Sequence, residues 1–182
     1  MSLMPLGLLS FSAGGGNGGN ALTLISTVSG TGSSGTITFS SIPSTYKHLQ
    51  IRIAASNNSG STVTIVPNFN GDTASNYSAH WLSGNGSSVS SSGSSSNTIQ
   101  GMVMIADGSS AVSPMILDIL DYADTNKYKT MRSMFGYMAS PYQIIRLHSA
   151  NWRNTAAITS ISLVAAAGSY TSNSRFSLYG VS

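Results

Sequence analysis

The sequence predicts an all-β protein, an antiparallel β-sandwich of jelly-roll type preceded by an extended N-terminal arm, and three observations predict it. From Ala21 onwards the apolar residues recur with a period of two, the spacing of half-buried strands. No segment sustains a 3.6-residue period between capping residues. Gly, Ser and Asn clusters interrupt the alternating runs at short intervals, as expected for a sandwich of roughly eight to ten strands.

Composition bounds the rest. A chain of 182 residues is long enough for one domain with a real core. Only 7% of its residues are charged and Glu is absent, while 41% are hydrophobic, so disorder of the high-charge kind is excluded. The formal charge is +3, yet Lys47, Arg52, Arg146, Arg153 and Arg175 are scattered rather than clustered. A nucleic-acid groove needs clustered bases interleaved with aromatics, so no nucleic-acid partner is expected. With no cysteine there is no disulfide framework, thiolate metal site or cysteine nucleophile.

Residues 1–20 read as an apolar arm followed by a Gly-rich hinge, and residues 21–182 as a single sandwich domain. Leu3, Leu6, Leu8, Leu9 and Phe11 are the expected docking residues of the arm, since each costs about 1.5–3 kcal/mol when left in water. The segment lacks the basic start of a signal peptide and the roughly 20 apolar residues of a membrane span, so no membrane insertion is expected.

Within the domain, Leu22 and Leu24 alternate with Thr23 in a first strand, and Ile37 and Phe39 mark a second. Lys47 to Ala55 alternates most cleanly, with Leu49, Ile51, Ile53 and Ala55 facing inward. Val63 and Ile65 lead to Phe69, and Asn70-Gly71-Asp72 forms a tight turn. Tyr77, Ala79 and Trp81 share a strand face. Residues 83–97 are Ser/Gly-rich and read as a long loop. Ile99, Val103 and Ile105 resume the strand pattern, as later do Ile144 to His148, Ile161 to Ala165, and Phe176 with Leu178.

The charges concentrate in Met115–Met134, where Asp118, Asp121 and Asp124 precede Lys127, Lys129 and Arg132. This order predicts a hairpin turning at Asp124, Thr125 and Asn126, with Ala123 opposite Lys127, Tyr122 opposite Tyr128, Asp121 opposite Lys129 and Asp118 opposite Arg132. Each such pair is worth about 0.2–1 kcal/mol. Both faces of the hairpin mix apolar with charged residues, which predicts cover on both sides.

No catalytic, cofactor-binding or metal-binding residues are assigned. On a strand, Asp118 and Asp121 point to opposite faces and cannot converge on one metal or one glycosidic bond. His48, His80 and His148 fall on three strands without short-range partners. There is no Gly-x-Ser-x-Gly elbow, and no enzymatic activity is expected. Trp81 and Tyr142 are the candidate glycan contacts, because exposed aromatics stack on sugar rings.

Several phrases resemble a family of tailed-bacteriophage virion proteins common in phages of aquatic bacteria. They are Phe39-Ser40-Ser41-Ile42-Pro43-Ser44-Thr45-Tyr46-Lys47-His48-Leu49, Asn70-Gly71-Asp72 with Asn76-Tyr77-Ser78, and Ile119-Leu120-Asp121-Tyr122-Ala123 with Asn126-Lys127-Tyr128-Lys129-Thr130. Trp152-Arg153-Asn154-Thr155-Ala156-Ala157-Ile158-Thr159-Ser160-Ile161 and Arg175-Phe176-Ser177-Leu178-Tyr179-Gly180 complete the set. The resemblance spans residues 22–181 and is specific to the family, not to one place on the particle. It implies a β-sandwich module on the outside of a virion, alone or at the tip of longer fibre proteins, without catalytic residues.

The expected function is therefore that of a virion structural protein on the particle surface, made in the host cytoplasm. It would act without cofactors as a capsid cement or decoration protein, self-associated as a homotrimer and docked through its arm on the major capsid protein or another virion protein. The alternative is a tail-fibre or receptor-binding module that recognises host surface glycans.

Overall fold

The computed structural model describes residues 21–96, 98–99, 102–104, 112–139 and 142–182, without the side chains of 103, 104, 138, 139 and 142. The expected docking residues of the arm, Leu3 to Phe11, lie outside this set. The regular elements among the described residues are strands: β1 (Leu22–Ser29), β2 (Thr36–Phe39), β3 (His48–Ala55), β4 (Val63–Phe69), β5 (Tyr77–Gly84) and β6 (Val89–Ser96) form the first half. The second half contains β7 (Met102–Met104), β8 (Ser113–Leu120), β9 (Lys129–Ala139), β10 (Tyr142–Trp152), β11 (Ile161–Ala165) and β12 (Arg175–Val181).

Two antiparallel sheets result, a large one ordered β1-β12-β3-β8-β9-β10-β5-β6 and a small one ordered β2-β11-β4-β7. Leaving aside β5, β6, β9 and β10, the chain passes from one sheet to the other at every step but one, from β4 to its neighbour β7. The orders β1-β12-β3-β8 and β2-β11-β4-β7 that result are those of a double Greek-key jelly roll. The fold class read from the sequence is thus the observed one. The four remaining strands enter as two hairpins and extend the large sheet beyond β8.

Period-two patterning builds the core as expected. Leu49, Ile51, Ile53 and Ala55 of β3 are buried, as are Met115, Leu117 and Ile119 of β8 and Phe176 and Leu178 of β12, and Ile37, Ile65, Phe69 and Leu163 of the small sheet meet them. In β1 the alternation breaks. A bulge between Leu24 and Ser26 turns Leu24 outward and Ile25 onto the core.

Over residues 83–96, the described part of the loop expected at 83–97, the chain forms strand instead. Ser83 and Gly84 end β5, a short turn follows, and Val89–Ser96 pair with β5 over their full length as β6. The Asn85 side chain closes the turn, its Oδ1 accepting from the backbone N–H groups of Ser87 and Ser88 at 3.0 and 2.8 Å. Serine has little strand preference of its own; the ladder offered by β5 overrides it.

The β4–β5 connection is the best-tied turn. Asn70 and Gly71 have φ values of 52° and 70°, and Asp72 N–H donates to Phe69 C=O at 2.9 Å, the geometry of a type I′ turn. Asp72 Oδ2 accepts from the Trp152 indole N–H at 2.7 Å and from Asn76 Nδ2 at 2.9 Å, while Oδ1 accepts from Ala74 N–H at 2.9 Å. Trp152 in turn packs against Phe69 at 5.7 Å and stacks on Tyr77 at 6.5 Å between ring centroids.

These donors, Asn76 first, hold the Asp72 carboxyl below its ordinary value of 3.8 despite the opposing effect of burial. Its stabilisation is complete above that value and is lost as pH falls through the folded pKa. Asp72→Asn should cost about 1–3 kcal/mol near neutral pH by leaving a donor facing the indole N–H. Urea unfolding as a function of pH should show a flatter acid limb for this variant; an unchanged limb would rule out the carboxylate as a source of acid sensitivity.

Candidate functional site: the outer face of the large sheet

The register of the large sheet fixes which side chains its outer face presents. Arg52 lies beside Ile116, Ile116 beside Met134, Met134 beside Leu147, Leu147 beside Leu82, and Leu82 beside Ser91. Four large apolar side chains on four adjacent strands therefore form a row across the face. One step along the strands, Ile145 and Val89 flank Gly84 and widen it. These six residues are between 39% and 74% exposed.

A polar row borders this band on its other side, with Gln50 beside Asp118, Asp118 beside Arg132, Arg132 beside Ser149 and Ser149 beside His80. Arg52 Nε donates to Gln50 Oε1 and Gln50 Nε2 to Asp118 Oδ1, both at 2.9 Å, and the Arg52 guanidinium sits 5.2 Å from the Tyr179 ring centroid. Two open hollows lie along the band. One of about 620 Å³ is lined by Ile116, Met134 and Ile145 among others, and one of about 600 Å³ by Leu82, Leu147 and Arg132 among others.

Of the pairs expected in the Met115–Met134 hairpin, the structure keeps the register but not the ion pairs. Asp118 faces Arg132 in the ladder, which ends one pair after Ile119–Met131, at Leu120 and Thr130. Asp118 accepts from Gln50 instead of joining Arg132. Asp121 adopts φ +47°, leaves the ladder, and binds Lys127 Nζ at 2.6 Å rather than Lys129. The three-residue turn is replaced by a broad loop, and Tyr122 and Tyr128 are not paired, because Tyr122 is buried with its hydroxyl donating to Pro43 C=O while Tyr128 is exposed.

Lys129 explains the change. It sits on the core face, 1% exposed, and its ammonium donates to the backbone carbonyls of Asp124, Lys127 and Thr155. Three donors meet three carbonyls, so the loop is stitched to the 152–155 corner. Burial lowers the Lys129 pKa, whereas Lys127 is raised and Asp121 lowered chiefly by their mutual hydrogen bond. Asp121 Oδ1 also approaches His48 Nδ1 at 3.4 Å, but Asp121 N–H already donates to that nitrogen at 2.9 Å. Nδ1 is then an acceptor, and the contact is not an ion pair.

Of the two candidate glycan contacts, the side chain of one, Trp81, is described. Trp81 is on the core face of β5, stacked on His148 at 6.1 Å and 9° between planes, with the Arg146 guanidinium 5.6 Å from its ring centroid. Arg146 Nε donates to Ser83 Oγ at 2.6 Å, and burial lowers its pKa. The indole thus has protein partners at its ring, His148 and Arg146. The side chain of Tyr142 lies outside the described residues. His80 is on the outer face, His148 on the core face and His48 at the hairpin loop, and among the described residues no three metal-ligating side chains converge.

Comparison with family models, with curated proteins and with solved structures gives no match. The functional reading therefore rests on the surface itself. Sequence reasoning missed Lys129 as a buried clamp, since a lysine in a charge-rich segment reads as solvated. The mixed faces of the hairpin did carry the signal for the apolar band.

Lys129→Met should destabilise the protein by about 2–4 kcal/mol in denaturant titration, because it leaves buried carbonyls without donors. Asp121→Asn, which removes the exposed charge pair with Lys127 and tolerates φ +47°, should cost much less. A double-mutant cycle should give coupling for Asp121 with Lys127 and none with Lys129; the reverse pattern would restore the cross-strand pair read from sequence.

Proposed function

We propose that this chain is a non-enzymatic structural protein of a tailed-bacteriophage particle, lying on the virion surface as a capsid cement or decoration protein. It holds to the major capsid protein or another virion protein by burying apolar area, without covalent chemistry. The observation that carries this reading is the row Ile116, Met134, Leu147 and Leu82, exposed on the outer face of a chain with few charges. Contiguous exposed apolar patches mark interaction sites, and depletion of charge with enrichment of large apolar side chains is the signature of an interface core.

The phage-like phrases support the same reading from a separate direction, since none of them contains Ile116, Met134, Leu147 or Leu82. Jelly rolls serve viral coats and lectins alike, so the fold alone does not choose between them. The tail-fibre alternative relied on Trp81 and Tyr142 as a sugar platform, and Trp81 is committed to His148 and Arg146.

The paired substitution Met134→Glu and Leu147→Glu changes two exposed residues, so the fold should remain intact, with stability altered by about 0.5 kcal/mol or less per site. Gradient-purified particles from infected cells should contain the native chain and at least tenfold less of the variant by quantitative mass spectrometry. Absence of the native chain from particles would overturn the proposal.

A further inference from the structure

Among the described residues, four strands end the two sheets, β1 and β6 the large one, β2 and β7 the small one. A sheet edge displays unpaired N–H and C=O groups, and proteins blunt it by brevity, charge, proline or a bulge. Two of these edges are blunted: β2 has four residues, and β1 is broken by its bulge at Leu24 and Ser26; β7 borders residues outside the described set. The fourth is not blunted. β6 pairs with β5 over eight residues without a register shift, and Val-Ser-Ser-Ser-Gly-Ser-Ser-Ser contains neither charge nor proline.

A second observation falls on the same strand. The Ser94 hydroxyl is buried and has no hydrogen-bond partner, although Val89 to Gly93 around it are exposed. Buried polar groups almost always find partners, and an orphan calls for an explanation.

We infer that β6 is the pairing edge for β6 of a second copy of this chain, joined antiparallel about a twofold axis perpendicular to the sheet. The chemistry of the strand selects its own copy. Serine hydroxyls both donate and accept, so a serine strand is complementary to itself, and no like charges oppose one another across the ladder. An isologous contact of this kind closes on itself and makes a pair.

Face parity narrows the register. Residues directly opposite one another must point to the same face, so even numbers meet even and odd meet odd. Two registers centre the strand, one placing Ser92 opposite Ser92 of the second copy, the other Gly93 opposite Gly93. In the first, Ser94 faces Ser90 of the second copy, and in the second it faces Ser92. In either register a serine of the second copy stands across the ladder from Ser94, and a rotation about its χ1 would turn the orphan hydroxyl towards that partner.

This pairing uses neither the outer apolar row nor the arm, so it stands independently of the virion reading. Sedimentation equilibrium of the full chain over a range of concentrations should show a reversible dimer. Ser92→Lys puts like charges opposite each other or one pair apart in both registers and should weaken dimerisation at least tenfold. Ser92→Asp should do the same, and an equimolar mixture of the two variants should restore pairing, which a folding defect would not allow. Met134→Glu should leave it unchanged. A monomer at every concentration, a dimer indifferent to both Ser92 variants, a failure of the mixture to pair, or a dimer abolished by Met134→Glu would each overturn the inference.

Discussion

The β8–β9 ladder is the seam on which the rest of the structure depends. On one side of it lie the eight strands of the jelly roll, and on the other the four-strand extension that widens the large sheet. Its register, with Asp118 beside Arg132, sends Leu117, Ile119, Met131 and Phe135 inward and Ile116 and Met134 outward. A slip of one residue would exchange these sets and bury the outer row in place of the core. The loop that closes the hairpin is held by features independent of the ladder: Lys129 on three carbonyls, Tyr122 on Pro43, and Asp121 N–H on His48. Register and loop thus fix each other, and the outer face follows from both.

Much of this was legible in the sequence because period two is a local signal. The inward set of β3, the Asn70-Gly71 turn and the hairpin register all depend on neighbours along the chain. What was not legible depends on partners distant in sequence. Lys129 is buried because the carbonyl of Thr155 is brought to it. Residues 89–96 become a strand because β5 lends them a ladder, not because of their own preferences. Trp81 looked like an exposed platform until β10 placed His148 and Arg146 against it. The outer band was half legible, since the mixed faces of the hairpin were visible but the alignment of Leu82 and Leu147 with them required the sheet order.

A surface with so few charges behaves differently from that of most proteins of this size. Long-range steering is weak, and association depends on contact area and hydrogen bonding more than on field. Such contacts are little affected by salt, because there is little charge to screen. The polar row of Gln50, Asp118 and Arg132 beside the apolar band then supplies orientation, while the band supplies most of the favourable free energy.

The tie at Asn70 also bears on how the molecule ages. In an Asn-Gly sequence the glycine nitrogen can attack the asparagine amide carbon, expelling ammonia through a cyclic imide and leaving aspartate or its backbone isomer. Here the Asn70 side chain donates to Ala157 C=O at 2.8 Å and accepts from the N–H groups of Thr159 and Ser160 at 2.8 and 3.0 Å. Held across the turn on the 157–160 segment, its amide is kept from the rotation that the attack requires. The folded chain is therefore shielded at this bond while the unfolded chain is not, so time spent unfolded is recorded chemically, as a negative charge at position 70 that cannot make the same contacts.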